Sequence, residues 1–388
     1  MSFDALWDTL APIGRVASGG YRRFAWTPVD AVLREWFASE ARTRGLELVT
    51  DRAGNHWAWW GSPSPDRPGV VVGSHLDSVP DGGAFDGPLG VVSAFCAVDL
   101  LRSRAFEPSR PVGVACFGDE EGARFGVACA GSRLLTGALP AERGLALTDG
   151  DGVPMATAMR SAGLDPSGVG RDDEVLRMIG TFIELHVEQG RGLVDLDRPI
   201  AVGSSILAHG RWRLELAGEA NHAGTTRLED RRDPMIDLAA AVIAARSAAR
   251  ARGCVATVGK VAVTPNGVNA IPSAVTAWLD ARGDAARAVA VDVGHAAGTA
   301  PVEESYTPDT RFDPTLVTRL SRLLGDAPVL GTGAGHDAGI LAAAGVPAAM
   351  LFVRNPTGVS HSPAEHAGRD DCLAGVDALA AVIADLAG

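Results

Sequence analysis

The stretch Gly69-Val-Val-Val-Gly-Ser-His75-Leu-Asp77-Ser-Val-Pro-Asp-Gly-Gly-Ala-Phe-Asp86-Gly87 decides how this chain is read. Val70 to Val72 offers no polar face, as expected of a parallel strand covered on both sides, and ligands of such sheets gather beyond the carboxyl ends of the strands. His75 and Asp77 point to one side if the strand continues through them, and the glycines at 82 and 83 let the chain turn back to deliver Asp86. Taken alone, the segment fits either a metal site or an ordinary hydrogen-bonded His–Asp pair.

Three later segments favour the metal. Val112-Gly-Val-Ala-Cys-Phe117 ends in Gly118-Asp119-Glu120-Glu121-Gly122, so paired acids again follow a strand. Phe182-Ile-Glu-Leu-His186-Val-Glu188-Gln189-Gly190 repeats the arrangement with another His, and Ala348 to Val353 leads into Gly358-Val-Ser-His361-Ser-Pro-Ala-Glu365-His366. Four strand-like runs each deliver a His or a carboxylate where they stop, which points to one shared metal centre.

The 388 residues suffice for two domains or one large one, and 46% hydrophobic content supplies the cores. A formal net charge of −12 argues against nucleic-acid and anionic-membrane partners. Cys96, Cys116, Cys129, Cys254 and Cys372 are odd in number and lack C-x-x-C spacing, so they read as reduced thiols of a cytoplasmic protein and not as a disulfide framework or thiolate metal site. The first residues lack the basic start and apolar core of a signal peptide, and no apolar run reaches membrane-spanning length, so a soluble cytoplasmic protein is expected.

Apolar residues recur at helical spacing from Thr27 to Gly45, with Thr27 as N-cap before Pro28, and again from Pro88 to Arg104. Alternation of these helices with the strands predicts an α/β layer on a mostly parallel sheet. The character changes after Ser205. Gly210 to Ala217, Cys254 to Val263 and Ala274 to Ala281 alternate as half-exposed strands, Asp233 to Arg252 and Asp284 to Gly298 read as helices, and a last strand falls at Val302 to Tyr306. This βαββαβ order predicts a ferredoxin-like α+β domain inserted at 207–315, serving as lid or dimerisation surface, between catalytic segments 1–206 and 316–388.

His75-x-Asp77 with Asp86, Glu120-Glu121-Gly-Ala-Arg-Phe125, His186 and Ser360-His361-Ser-Pro-Ala-Glu365 together resemble the M20-type dinuclear metallohydrolases. The Gly-Gly-Ala-Phe-Asp86-Gly form and Asn221-His222-Ala-Gly-Thr-Thr226 look like the branch of allantoate amidohydrolases, N-carbamoyl-L-amino-acid hydrolases and β-ureidopropionases. The resemblance runs nearly from end to end. It implies that Asp86 bridges two divalent ions, with His75 and His186 completing one site and Glu121 and His361 the other. Such ligands suit zinc or manganese, and two cations sharing a carboxylate lower the pKa of water held between them and polarise a carbonyl. Glu120 is implied as the general acid/base. Asp77 then joins the catalytic set by accepting the other ring N–H of His75, against the plainer reading of a turn cap.

Gln189, His222, Asn269, Arg282 and Gly335 match substrate-binding positions of the same branch. Arg282 is read as a carboxylate clamp, since its planar fork grips a carboxylate through two hydrogen bonds, and its alternative is a surface salt bridge. His222, Asn269 and Arg282 fall in the inserted domain, and the resemblance implies that the His222 segment serves the active site of a partner subunit in a homodimer. His56, His209, His295 and His366 are read as ordinary solvated or hydrogen-bonded side chains, Trp57-Ala-Trp59-Trp60 as core packing or a sheet edge, and Gly19 to Arg23 as a surface loop. The expected activity is hydrolysis of the C–N bond of a ureido or related N-acyl group on a small carboxylate-bearing substrate, with allantoate and N-carbamoyl-L-amino acids leading and N-formyl or N-formimidoyl amino acids following. The alternatives are an M20-type dipeptidase or aminoacylase and a catalytically inactive metal-binding scaffold.

Overall fold

A computed structural model describes residues 2–388 and divides them into two compact units, one formed by the chain up to Ser205 together with Arg311–Gly388, the other by Ile206–Thr310. The return to the first unit comes at Arg311 and not at residue 316. Phe312 is already buried there and donates its N–H to Ser204 O at 3.0 Å.

The first unit is built on a nine-stranded sheet. Seven of its strands run in the order Glu47–Thr50, His56–Trp60, Val112–Phe117, Gly69–His75, Ile179–Val187, Ala348–Val353 and Ile200–Ile206. Parallel pairing occupies the centre, among the four strands from Val112–Phe117 to Ala348–Val353, and antiparallel pairs flank it. Two of the four, Val112–Phe117 and Ala348–Val353, are free of polar side chains other than a thiol, the others add Ser74, His75, Thr181, Glu184 and His186 to apolar runs, and nearly every residue in all four is buried. Because they are parallel, their carboxyl ends share one edge of the sheet, where His75, the Asp119–Glu121 turn, His186 and the segment leading to His361 emerge.

The register brings the two strand-end histidines side by side. Gly73 pairs with Glu184, so His75 falls level with His186, and their rings lie 6.0 Å apart. Gly73 itself has φ 151°, and a Cβ there would meet Ala115 O at 2.1 Å, so the close approach of the strand Val112–Phe117 on its other side admits no side chain. The helix Pro28–Thr43 begins as read, with Thr27 Oγ1 accepting the Asp30 N–H at 3.4 Å. The helix Pro88–Ser103 follows the Asp86 turn directly and packs on the Gly69–His75 strand and on the helix Arg369–Ala387.

The expectation for Gly19 to Arg23 fails. Tyr21 and Arg23 are buried and do not belong to a surface loop; the Arg23 guanidinium donates to Leu10 O and Ile13 O and lies 4.1 Å over the Tyr21 ring. Alternating charge with glycine hid an arginine whose donors are used by main-chain carbonyls.

The second unit has its four strands in spatial order Val302–Thr307, His209–Ala217, Ala274–Arg282, Val255–Thr264, all antiparallel, which is the fourth-first-third-second order of a ferredoxin-like sheet. Trp212, Leu214 and Leu216 alternate with exposed neighbours and join Val275, Ala277 and Leu279 against Leu238, Ala241 and Ala245 of the helix Pro234–Ala251 and Val289 and Val293 of the helix Ala286–Ala296. Among the described residues, no helix is long and apolar enough to cross a membrane.

Candidate metal centre

Asp86 lies at the middle of two ligand groups. His75, Asp86 and His186 place one donor atom each within 4.8 Å of one another, and Asp86, Glu121 and His361 do the same. The two oxygens of Asp86 divide the work. Oδ1 is 3.1 Å from His186 Nε2 and 3.6 Å from His75 Nε2, while Oδ2 is 3.6 Å from His361 Nε2, which in turn is 3.6 Å from a Glu121 oxygen. Two donors each about 2.1 Å from a zinc ion are about 3.4 Å apart across a tetrahedral angle, so these separations fit ligands waiting on a cation.

The unpaired atoms agree. His75 Nε2, His186 Nε2 and Glu121 Oε1 are buried without a hydrogen-bond partner, whereas the opposite ring nitrogens are used: His75 Nδ1 sits 3.1 Å from Asp77 O and His186 Nδ1 2.9 Å from Val187 O. A ring that donates Nδ1–H to a carbonyl presents a lone pair on Nε2, which is the tautomer a metal needs. The residues present therefore fit a divalent cation in each group.

Supporting contacts fix the loops. Asp77 holds more than His75, since its Oδ1 and Oδ2 accept the N–H groups of Glu120 and Glu121 at 3.1 and 3.0 Å, while its Oδ1 stands 3.4 Å from His75 Nδ1. Asn55, fully buried, accepts the Gly118 N–H at 3.0 Å and so grips the start of the same acidic turn. Glu365 accepts the N–H groups of Phe85 and Asp86, both at 2.9 Å, and Gly83 packs so closely that a Cβ would stand 2.3 Å from Glu365 Oε1. Neither Gly82 nor Gly83 has a positive φ, so Gly83 serves by making room and not by reversing the chain. Asn355 shapes the run into His361 through Thr357, Gly358 and Val359. Glu184 accepts from Ser74 Oγ and Ala338 N, and the His336 ring lies 4.4 Å from that of His186.

Of the substrate positions, Gln189 falls in this centre, donating to Asp86 Oδ2 at 2.8 Å and to Ser360 Oγ at 3.2 Å. Gly335 immediately precedes the buried His336 and Asp337. In the second unit, His222 and Asn269 come together, with His222 paired to Ala270 and Ala223 N donating to Asn269 O. Arg282 stands apart from them at the far end of the strand Ala274–Arg282, its Nε 2.8 Å from Asp280 Oδ1. The sequence reading gave no role to Asn55, Glu184, Glu365, His336 or Asp337. Glu365 and His336 stand beside motif residues, but a lone buried Asn in a loop, as at Asn55, or a lone Glu on a strand, as at Glu184, carries no local pattern.

Burial raises most of the clustered acids. Glu120 is held well above the usual carboxylate range, eased by His75 and pushed further by Asp337, Glu121 and Asp77. Burial takes Glu121 to about 8 and Glu365 to about 7, with Asp86 adding repulsion in both. Asp86 goes the other way: burial would raise it, but His186 and His75 outweigh that and hold it well below the usual range. In the unfolded chain these glutamates lose their protons near pH 4.3, whereas the folded, cation-free chain keeps them to about 7 and 8. Across that window the folded state binds more protons, so its stability falls as pH rises. In chelator-treated protein the melting temperature should fall between about pH 5.5 and pH 8.5, and saturating zinc or manganese should raise it more at the higher pH. A melting temperature of the stripped protein that climbs through this window would contradict the site as described.

Residues 71–385 match the family described as Peptidase family M20/M25/M40. The chain is 36% identical to an N-carbamoyl-L-amino acid amidohydrolase of Geobacillus stearothermophilus, over 97% of this chain and 96% of that protein. It is 32% identical to an allantoate amidohydrolase of Escherichia coli K12 over the same shares. The crystal structure of AtUAH in complex with glyoxylate superposes with a TM-score of 0.88 at 28% identity, covering 99% of this chain and 97% of that one. Matched over most of its length, the chain belongs to peptidase family M20/M25/M40, on the branch of the carbamoyl-amino-acid and allantoate amidohydrolases.

Proposed function

We propose that the chain is a two-metal amidohydrolase that cleaves the C–N bond of a ureido or related N-acyl group on a small carboxylate-bearing molecule, an N-carbamoyl-L-amino acid or allantoate. The observation that carries this reading is the single carboxylate, Asp86, shared by two ligand groups with Glu120 beside them. Two of the relatives named above are an N-carbamoyl-L-amino acid amidohydrolase and an allantoate amidohydrolase, and that supports the substrate class.

His75, Asp86 and His186 would hold one divalent ion, zinc or manganese, and Asp86, Glu121 and His361 another, and such ions would supply the positive charge that acidifies water and polarises a carbonyl. Glu120, whose Oε2 is 3.6 Å from His75 Nε2, takes the proton from water and passes it to the leaving nitrogen. Asp77 keeps Glu120 and Glu121 in register through their N–H groups, so its contribution to catalysis is positional. His222 Nδ1 accepts the Gly224 N–H at 3.0 Å, which leaves the neutral ring's proton on Nε2 as a donor toward substrate oxygen. Arg282 receives the substrate carboxylate, exchanging its contact with Asp280 for a better-matched one. Gln189, Asn269 and Gly335 complete the polar lining in this reading.

In this reading the chain acts as a homodimer, and two features of the second unit support that. Eight residue steps along the strand Ala274–Arg282 separate the Arg282 end from the end next to Asn269 and His222, about 26 Å, beyond the span of one small substrate. Each active site then takes the Arg282 end of one chain and the His222 end of another. The helix Pro234–Ala251 also exposes Met235, Ile236, Val242 and Ile243 seven residues apart in pairs, and it packs on the edge strand Val255–Thr264, which shows Val255 and Val261. All five cysteines are free and four are buried, in keeping with a cytoplasmic protein.

Product release by the metal-loaded enzyme should be seen with N-carbamoyl-L-amino acids or allantoate in a panel that also holds N-formyl amino acids and dipeptides. Glu120→Gln should lower kcat about 10²- to 10⁴-fold with both ions retained. Turnover of dipeptides alone would overturn the substrate class, and an undiminished Glu120→Gln enzyme would overturn the mechanism. The double substitution Ile236→Glu with Ile243→Glu should yield monomers by light scattering that have lost activity but keep their metal. A fully active monomer would rule out the shared site.

A further inference from the structure

Cys129 sits against the acidic turn with no role in the reaction described above. Three main-chain hydrogen bonds join that turn to the first residues of the helix Ala130–Thr136: Gly131 N to Gly118 O at 2.9 Å, Ala130 N to Asp119 O at 2.9 Å, and Cys129 N to Glu120 O at 2.5 Å. The ladder sets Cys129 opposite Glu120. It holds the cysteine at φ 54° and brings its Sγ to 3.3 Å from Glu120 Oε1. The side chain is buried, so no water competes for the contact.

We propose that Cys129 is a positioning residue, fixing the Glu120 carboxylate by donating its S–H to Oε1 and so leaving Oε2 as the atom that accepts and returns the proton. This rests on the reading of Glu120 as acid/base. The rotation of a glutamate about its last bond is broad, so a base with one oxygen untethered would spend time with neither oxygen aimed at water. Oε1 is tethered to sulfur, and that tether sets the plane of the carboxylate and leaves Oε2 beside the ligand atom His75 Nε2, 3.6 Å away. A thiol suits the task because it is a weak donor. A hydroxyl or N–H in its place would stabilise the carboxylate more strongly and cost it basicity. Burial, with Glu120 and Asp337 adding repulsion, keeps the thiol itself protonated and therefore able to donate.

Infrared spectroscopy of the metal-loaded enzyme tests the contact without reference to turnover, because the S–H stretch falls in a region clear of other protein bands. The band lost in the Cys129→Ala difference spectrum should lie at lower frequency than that of a weakly bonded thiol, and Glu120→Gln should move it back up. In kinetics, Cys129→Ala should lower kcat about tenfold with KM and bound metal unchanged, and Cys129→Ser, which keeps a donor, should lose less. If Cys129→Ala fails to fold, Cys129→Ser and the Glu120→Gln shift of the band still decide the matter. An S–H band indifferent to Glu120→Gln, or wild-type kcat in Cys129→Ala alongside an inactive Glu120→Gln enzyme, would overturn the positioning role and leave Glu120 as base. Wild-type turnover by Glu120→Gln itself would instead remove the base.

Discussion

Buried carboxylates need a counter-charge, and much of the first unit is arranged around that requirement. Asp77, Asp86, Asp119, Glu120, Glu184, Asp337 and Glu365 are all withdrawn from solvent around one edge of the sheet, and the basic groups that approach Asp86, Glu120 and Glu121 within 3.6 Å are imidazoles. Taking such charges out of water is costly unless each is protonated, hydrogen-bonded or paired. Three of them are answered by main-chain N–H groups: Asp77 by Glu120 and Glu121, Glu365 by Phe85 and Asp86, Glu184 by Ala338. Asp86 and Glu121, with His75 and His186, are left facing one another in two groups that could each hold a cation.

That arrangement follows from the topology. Parallel strands that begin and end together put four chain exits at one edge, so side chains far apart in sequence meet without any long-range design of loops. The loops then need only local fastening, which Asn55, Glu365 and Asn355 provide through main-chain contacts. In the second unit the alternating strands bury one face against two helices, leaving the opposite face and the Val255–Thr264 edge uncovered.

The central strands, and the side chains that gather around Asp86, were legible because both rest on local chemistry. Unbroken apolar runs mark buried parallel strands, and a His or acid at the end of each is conspicuous. The inserted unit was legible from its change of period, yet its return at Arg311 was missed because Phe312 in a polar stretch carries no signal of what it packs against. Asp77 was legible through its i+2 spacing to His75, but its larger contacts are with Glu120 and Glu121, which follow the neighbouring strand some forty residues on and leave no trace in local spacing. The pair Gly82-Gly83 looked like a turn, although Gly83 answers to the volume of Glu365 far along the chain. Buried Arg23 misled for the same reason, since the carbonyls that satisfy it belong to residues 10 and 13.

The claim that organises all of this is that Asp86 serves two cations at once. Metal content of the purified, zinc- or manganese-loaded protein, measured by mass spectrometry of the elements alongside calorimetric titration of the stripped chain, tests it most directly. Two ions per chain are expected in the native protein, and Asp86→Ala should lose tight binding of both together, whereas His361→Ala should weaken only one. A single ion per native chain, or an Asp86→Ala protein that still holds two, would contradict the account.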